Sequence, residues 1–326
     1  MTAPGDSLVA NDNHDQVMML PKFKVEKIAR KESYLERLSQ TRQERLRWHE
    51  ALLQLPSVWR QTRGQGVRVA VLDTGIDTKH PDLQGAVIGS RDFTGEGIED
   101  GNGHGTHCAG IIAARQNRVG FIGAAPEAEL LIGKVLRNDG RGWLGWITAG
   151  INWAVDQGAD IISMSLGGPG TTDSLHSAVH GALAEGVVIM CAAGNSGQIY
   201  SNSMGYPARF GSVIAVGSHD HNGMPSGFSS RGGEIDFLAP GDGIWSTYKN
   251  GSYARLSGTS MATPFAAGLA ALILAKHRDQ ARNRTPINNN EDMRQHLLRM
   301  AAHPGHHDSA RGYGPLLPFN YFANLA

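Results

Sequence analysis

From Gln65 onward the chain falls into short apolar runs that each end in a turn. The runs are "VRVAVLDTG", "AELLIGKVL", "ADIISMSLGG", "GVVIMCAAGN" and "VIAVGS". Near-continuous apolar runs of this length predict strands buried on both faces. Between them, "HGTHCAGIIAA", "GWITAGINWAVDQG" and "TDSLHSAVHGALAEG" are long enough for helices. The alternation predicts an α/β fold in three layers, a mostly parallel central sheet with helices on both faces. Ligands of such sheets bind beyond the C-terminal ends of the strands. Asp73 and Asn195 lie at two of those ends.

The pattern upstream is different. Residues 21–63 carry 11 Lys/Arg and 5 Glu, with Ile28, Leu35, Leu38, Leu46, Leu52 and Leu53 loosely at helical spacing. This predicts a solvated helix or two. The first 20 residues read as a flexible tail. The expected division is an N-terminal extension over 1–45 and one large domain over 46–326.

Composition narrows the class. The 326 residues include 42 Gly, and only 18% are charged, which suits a compact α/β protein with tight turns. Lys+Arg and Asp+Glu balance at 30 each, so no global charge points to nucleic acid or an anionic membrane. The N-terminus lacks a basic stretch leading into an apolar run, as a signal peptide would have. No segment reads as a membrane span. Cys108 and Cys191 sit in apolar surroundings and read as buried free thiols. Together these features favour the cytoplasm.

Three motifs carry candidate chemistry: "LDTG" at 72–75, "GHGTHCAG" at 103–110 and "GTSMATP" at 258–264. Each has an ordinary reading. Asp-Thr-Gly occurs in aspartic proteases, but those need two carboxylates and the motif occurs once here. His104 and His107 stand three apart, but no glutamate lies between them as in the zinc-protease pattern. Ser260 could cap the helix that follows it. Jointly the motifs supply an acid, a histidine and a serine. A serine hydroxyl becomes a nucleophile when an imidazole takes its proton, and the imidazole needs a carboxylate to fix its tautomer.

The order Asp, His, Ser is that of the subtilisins, whereas α/β-hydrolases place Ser first and chymotrypsin places His first. From Leu52 to Leu274 the chain resembles a subtilisin-type serine protease. "VWRQTRGQGVRVAVLDTGID", "IISMSLGGP" and "VIMCAAGN" are most similar to the intracellular subtilisins of bacteria. The resemblance implies an endopeptidase in which Asp73 orients His104, His104 is base and then acid, and Ser260 attacks the peptide carbonyl. Asn195 would donate to the oxyanion, and His107 would be structural. Ser165, Leu166 and Gly167, with Ala193, would wall the specificity pocket, and Gly205 would form a floor open to large apolar side chains. Gly142, in "GRGWLGWI", would lie on the strand that pairs with an extended substrate. A calcium ion is also implied, held by Asp82 and Asn117 with the carbonyls of Arg115, Val119 and Phe121. A weaker cation site near Asp236 is a further expectation.

Three departures stand out, one of them the C-terminal "ARGYGPLLPFNYFANLA", which only loosely follows the family's ending. Phe265 replaces the family's usual histidine, which implies a packing change behind the nucleophile. Secreted relatives carry a signal peptide followed by a folded pro-domain, and the N-terminal segment is expected to be too short for both. Intracellular relatives use a short extension across the active site, and "MLPKF" at 19–23 partly matches its Leu-Ile-Pro-Tyr/Phe element. The N-terminal segment is therefore expected to be the chain's own inhibitor. Expected partners are protein or peptide substrates and a second copy in a homodimer, with neither nucleic acid nor membrane. A silent protease fold used as a binding module, and a peptide ligase or cyclase on the same triad, are the alternatives.

Overall fold

A computed structural model describes residues 17–30, 53–117, 120–279 and 287–324. The central sheet has seven strands: β3 (Arg68–Asp73), β4 (Val87–Asp92), β5 (Glu129–Lys134), β7 (Ile161–Met164), β8 (Val188–Ala192), β9 (Ile214–His219) and β10 (Ile235–Pro240). Their order is β10-β9-β8-β7-β3-β5-β4, and every pairing is parallel. The period of two explains the apolar runs. In β3, Val69 and Val71 enter one core while Ala70 and Leu72 enter the other. Met190 and Cys191 of β8 divide in the same way.

One face is covered by helices α2 (His104–Ala113) and α5 (Thr259–Asp279), which follow the one-turn helix α1 (Leu55–Val58) in the numbering. The other is covered by α3 (Leu144–Asp156) and α4 (Asp173–Ala184). Helices α6 (Asn290–Leu298) and α7 (Pro318–Ala323) close the C-terminal end. α5 is the one helix among the described residues long and apolar enough to cross a membrane, and it is buried inside the fold. Phe265 on it is 1% exposed, inside the core. Both cysteines are free and buried.

The N-terminal segment corrects two expectations. Val17–Met19 is strand β1, where a tail was expected, and Lys24–Ala29 is strand β2, where a helix was expected. β1 pairs antiparallel with β6 (Arg141–Trp143). β2 pairs antiparallel with β12 (Ser252–Ser257), which forms a hairpin with β11 (Ile244–Tyr248). Val25 and Ile28 stay exposed at 44% and 56%, so backbone pairing rather than an apolar helical face holds β2. Residues 31–52, the remainder of the expected helices, lie outside the described residues.

Candidate active site

The order of strands changes direction at β3, whose neighbours are β5 and β7. That arrangement opens a crevice beyond the C-terminal strand ends. Asp73 ends β3, Ser165 follows β7, and Asn195 lies just past β8.

His104 is the first residue of α2. Its Nδ1 donates to Asp73 Oδ1 at 2.8 Å and contacts Oδ2 at 3.0 Å, with both side chains buried. Asp73 also accepts the Thr74 N–H at 2.7 Å. Asp100 ties these two elements together. It accepts from Thr74 Oγ1 on the β3 side, and from the Gly103 and Thr106 amides and Thr106 Oγ1 at the start of α2. Burial pulls the His104 proton affinity down, but the Asp73 carboxylate outweighs it and holds the imidazole well above its usual range. His107 is the contrast. Its Nε2 faces the Ala254 carbonyl at 3.1 Å, and burial lowers its pKa to about 3, so it stays neutral.

Ser260 is the second residue of α5. Amide hydrogens in a helix's first turn have no partner inside the helix and carry partial positive charge. Four residues later, Pro264 has no N–H to give the Ser260 carbonyl. Ser165 Oγ and Cys108 Sγ donate to that carbonyl instead, at 2.9 and 3.4 Å. Burial raises the Cys108 pKa, so the thiol keeps its hydrogen. The Ser260 hydroxyl donates to the Ser165 carbonyl at 3.3 Å. His104 Nε2 is buried and has no hydrogen-bond partner among the described residues.

The Asn195 carboxamide has a defined orientation. Its oxygen accepts from the Thr259 amide at 2.8 Å and from Thr259 Oγ1 at 2.9 Å. Its nitrogen is thereby aimed into the crevice, where it donates to the Lys22 carbonyl at 2.8 Å. Gly258 permits this approach, because a Cβ there would lie 2.9 Å from Asn195 Nδ2.

The chain's own residues 17–23 run through the crevice. Met18 pairs with Gly142, and Met19 exchanges both backbone hydrogen bonds with Gly167, at 3.1 and 3.0 Å. Leu20 N–H reaches the Gly140 carbonyl at 3.0 Å. Met18 is fully buried, and the Phe23 ring lies 4.8 Å from the His104 ring, centroid to centroid. Beneath Met19–Lys22 is a cavity of about 420 Å³ bounded by Gly167, Gly168, Gly194, Asn195 and Gly205. Leu166 and Ala193 do not line it. Both are buried in the core beneath the sheet's second face. Met204 and Ile199 line it and were missed from the sequence, although two apolar residues in the polar loop after "AAGN" were a usable signal.

At the candidate calcium site, the fully buried Asp82 carboxylate is met by neutral donors: the Asn117 amide at 2.9 Å, the Phe121 N–H at 2.9 Å and the Tyr253 hydroxyl at 2.7 Å. The Arg115 carbonyl accepts from the Asn117 N–H. Val119 lies outside the described residues. Asp236 does not offer a cation site. The Arg294 guanidinium occupies its carboxylate at 2.8 Å.

Residues 64–314 match the model of the subtilase family. The chain is 51% identical over 230 residues to an intracellular serine protease of Paenibacillus polymyxa, covering 68% of this chain and 71% of that one. It is 48% identical over 232 residues to the major intracellular serine protease of Bacillus subtilis, covering 68% and 73%. It is 45% identical over 243 residues to the thermitase of Thermoactinomyces vulgaris, covering 74% and 86%.

Proposed function

The chain belongs to the subtilase family of serine proteases, and from that premise we propose that it is an endopeptidase whose own residues 17–23 block its active site. The observation that carries the reading is the hydrogen bond from Asn195, beside Ser260 and the Asp73–His104 pair, to the chain's own Lys22 carbonyl.

In the reaction, with the His104 ring in its neutral form, Ser260 Oγ rotates from the Ser165 carbonyl toward His104 Nε2 and loses its proton to it while attacking the substrate carbonyl. Asp73 holds the ring and stabilises the imidazolium. Negative charge on the carbonyl oxygen is met by Asn195 Nδ2 and the Ser260 N–H at the start of α5. His104 then protonates the leaving amine, and water cleaves the acyl-enzyme along the same path. The cavity's glycine walls, with Met204 and Ile199, suit a large apolar residue before the cut. A panel of peptides differing at that residue tests this, and a preference for Lys or Arg would contradict it.

The block follows from backbone chemistry. β1 occupies the edge an extended substrate would use. After Leu20 comes Pro21, which has no N–H to continue the ladder. The carbonyl on Asn195 is Lys22's, one residue further on, while the Ser260 hydroxyl stays on Ser165 and Phe23 covers His104. A cytoplasmic location is part of the reading, supported by two relatives that are named intracellular.

A calcium ion fits the Asp82 cluster. The Asp82 carboxylate and the Asn117 side-chain oxygen are hard ligands of the kind such a cation needs, and a buried carboxylate met, among the described residues, by neutral donors calls for a positive charge. Asp82 and Asn117 would hold the ion, with the Asn117 amide turned over to present its oxygen. The ion would supply structural cross-linking of the 81–83 turn to the 115–121 loop.

The test is intact-mass analysis after exposure to a fluorophosphonate, with Ser260→Ala alongside. The expected outcome is one adduct on wild-type protein once its N-terminus is trimmed, little on the full chain, and none on the variant. Equal labelling of full and trimmed chains would remove the block. Silence of both would remove the enzyme.

A further inference from the structure

Beyond the catalytic centre, the N-terminal segment continues as β2 along the whole free edge of β12, from Lys24 opposite Ser257 to Ala29 opposite Tyr253. An edge strand is a template for another extended chain. The pairing has an irregularity between Arg255 and Leu256, and Glu26 falls at this point, without a direct partner in the register. Such a bulge re-aims its side chain. Glu26 Oε1 accepts from Ser257 Oγ at 2.9 Å, and its Oε2 lies 3.2 Å from Arg255 Nε. Arg255 is held in place by the Gly243 carbonyl at 3.1 Å. Asp242 also contacts the Ser257 hydroxyl, at 2.9 Å, which limits the preference for a second carboxylate.

We propose that this edge is the groove for the part of a protein substrate that follows the cut, and that Arg255 with Ser257 selects an acidic side chain there. The selected position is the fourth residue after the one whose carbonyl Asn195 holds, as Glu26 is fourth after Lys22. The inference rests on the endopeptidase reading, with β2 standing in for the substrate's departing half. It explains why β2 is held, among the described residues, by backbone bonds and the Glu26–Arg255 ion pair while Val25 and Ile28 stay in water. Main-chain pairing accepts any sequence, and the side-chain contact adds a selection.

The experiment uses the full chain, allowed to process itself, with internally quenched peptides bearing a single Glu, Gln or Lys at the third, fourth or fifth residue after the cut. The expected result is a kcat/KM about threefold to tenfold higher for Glu than for Lys at the fourth position, within the range of partly exposed ion pairs. Arg255→Glu should invert that ratio, and because each ratio is taken within one protein, a change in overall activity does not affect it. Equal cleavage of the Glu and Lys peptides would overturn the proposal and leave β12 as a seat for β2 alone. A Glu preference that survives in Arg255→Glu would also overturn it. A chromogenic peptide amide with no residues after the cut separates the two readings. If wild-type protein cleaves it while the Glu and Lys peptides are equivalent, only this inference fails; if nothing is cleaved, the endopeptidase reading fails with it.

Discussion

The Ser260 carbonyl shows how much single residues do at this site. Pro264 removes its helical partner, and Ser165 and Cys108 replace it from two other elements. Ser165→Ala is expected to lower stability by about 1 kcal/mol, because a buried acceptor loses a donor. A denaturant midpoint shift at constant slope would measure that. Asn195→Ala should lower kcat by about 10²–10³ with KM nearly unchanged, the size such donors carry in subtilisins; an unaltered kcat would take Asn195 out of the reaction. His107, buried and neutral, links stability to pH. Its pKa is about 3 in the fold against 6.5 for a free imidazole, so its contribution is complete above pH 6.5 and is lost as pH falls toward 3. The loss is of the order of 4 kcal/mol. Melting temperature should fall between pH 7 and pH 4, and less steeply in His107→Gln.

Asp73, His104, Ser260 and Asn195 could be singled out as candidates from the sequence because each sits in a short motif at a strand or helix end. At the scale of elements, legibility depended on where the bonds go. The apolar runs of β3, β5, β7, β8 and β9 announced themselves because both faces are buried. β2 did not, since its side chains are largely in water and its bonds run to β12, more than 220 residues away in the chain. β1 was likewise hidden, because its partner β6 is three residues long and distant. α2 approaches the turn after β3 closely at Gly105, where a Cβ would lie 2.3 Å from the Gly75 carbonyl oxygen. Gly105→Ala should push α2 outward, lengthen the His104–Asp73 bond and reduce kcat more than it raises KM. Pro21→Ala restores an N–H one residue before the carbonyl that Asn195 holds and should speed the chain's self-cleavage, read as a shorter lag before activity; an unchanged lag would show that the proline is not what resists the cut.

Across the whole molecule, the site is where separate regions converge: β3 and α2 from the first half, β8 and α5 from the second, and the N-terminal segment across the top. Asp82 and Tyr253, 171 positions apart, are joined at the candidate calcium cluster. Removing calcium with a chelator should lower the melting temperature of wild-type protein by several degrees and leave Asp82→Ala nearly unaffected; no shift in wild type would empty the site. The sequence by itself determined the layered parallel sheet, since apolar periodicity is a local property, and the chemical groups of the site, since each lies in a contiguous motif. Only the tertiary structure decided which way those groups face: that Leu166 and Ala193 turn into the core, that Arg294 takes Asp236, and that β1 lies in the crevice while β2 lies along the edge of β12. Those outcomes depend on hydrogen bonds and ion pairs between residues far apart in the chain, and no local pattern encodes which distant partner a strand edge or a carboxylate will meet.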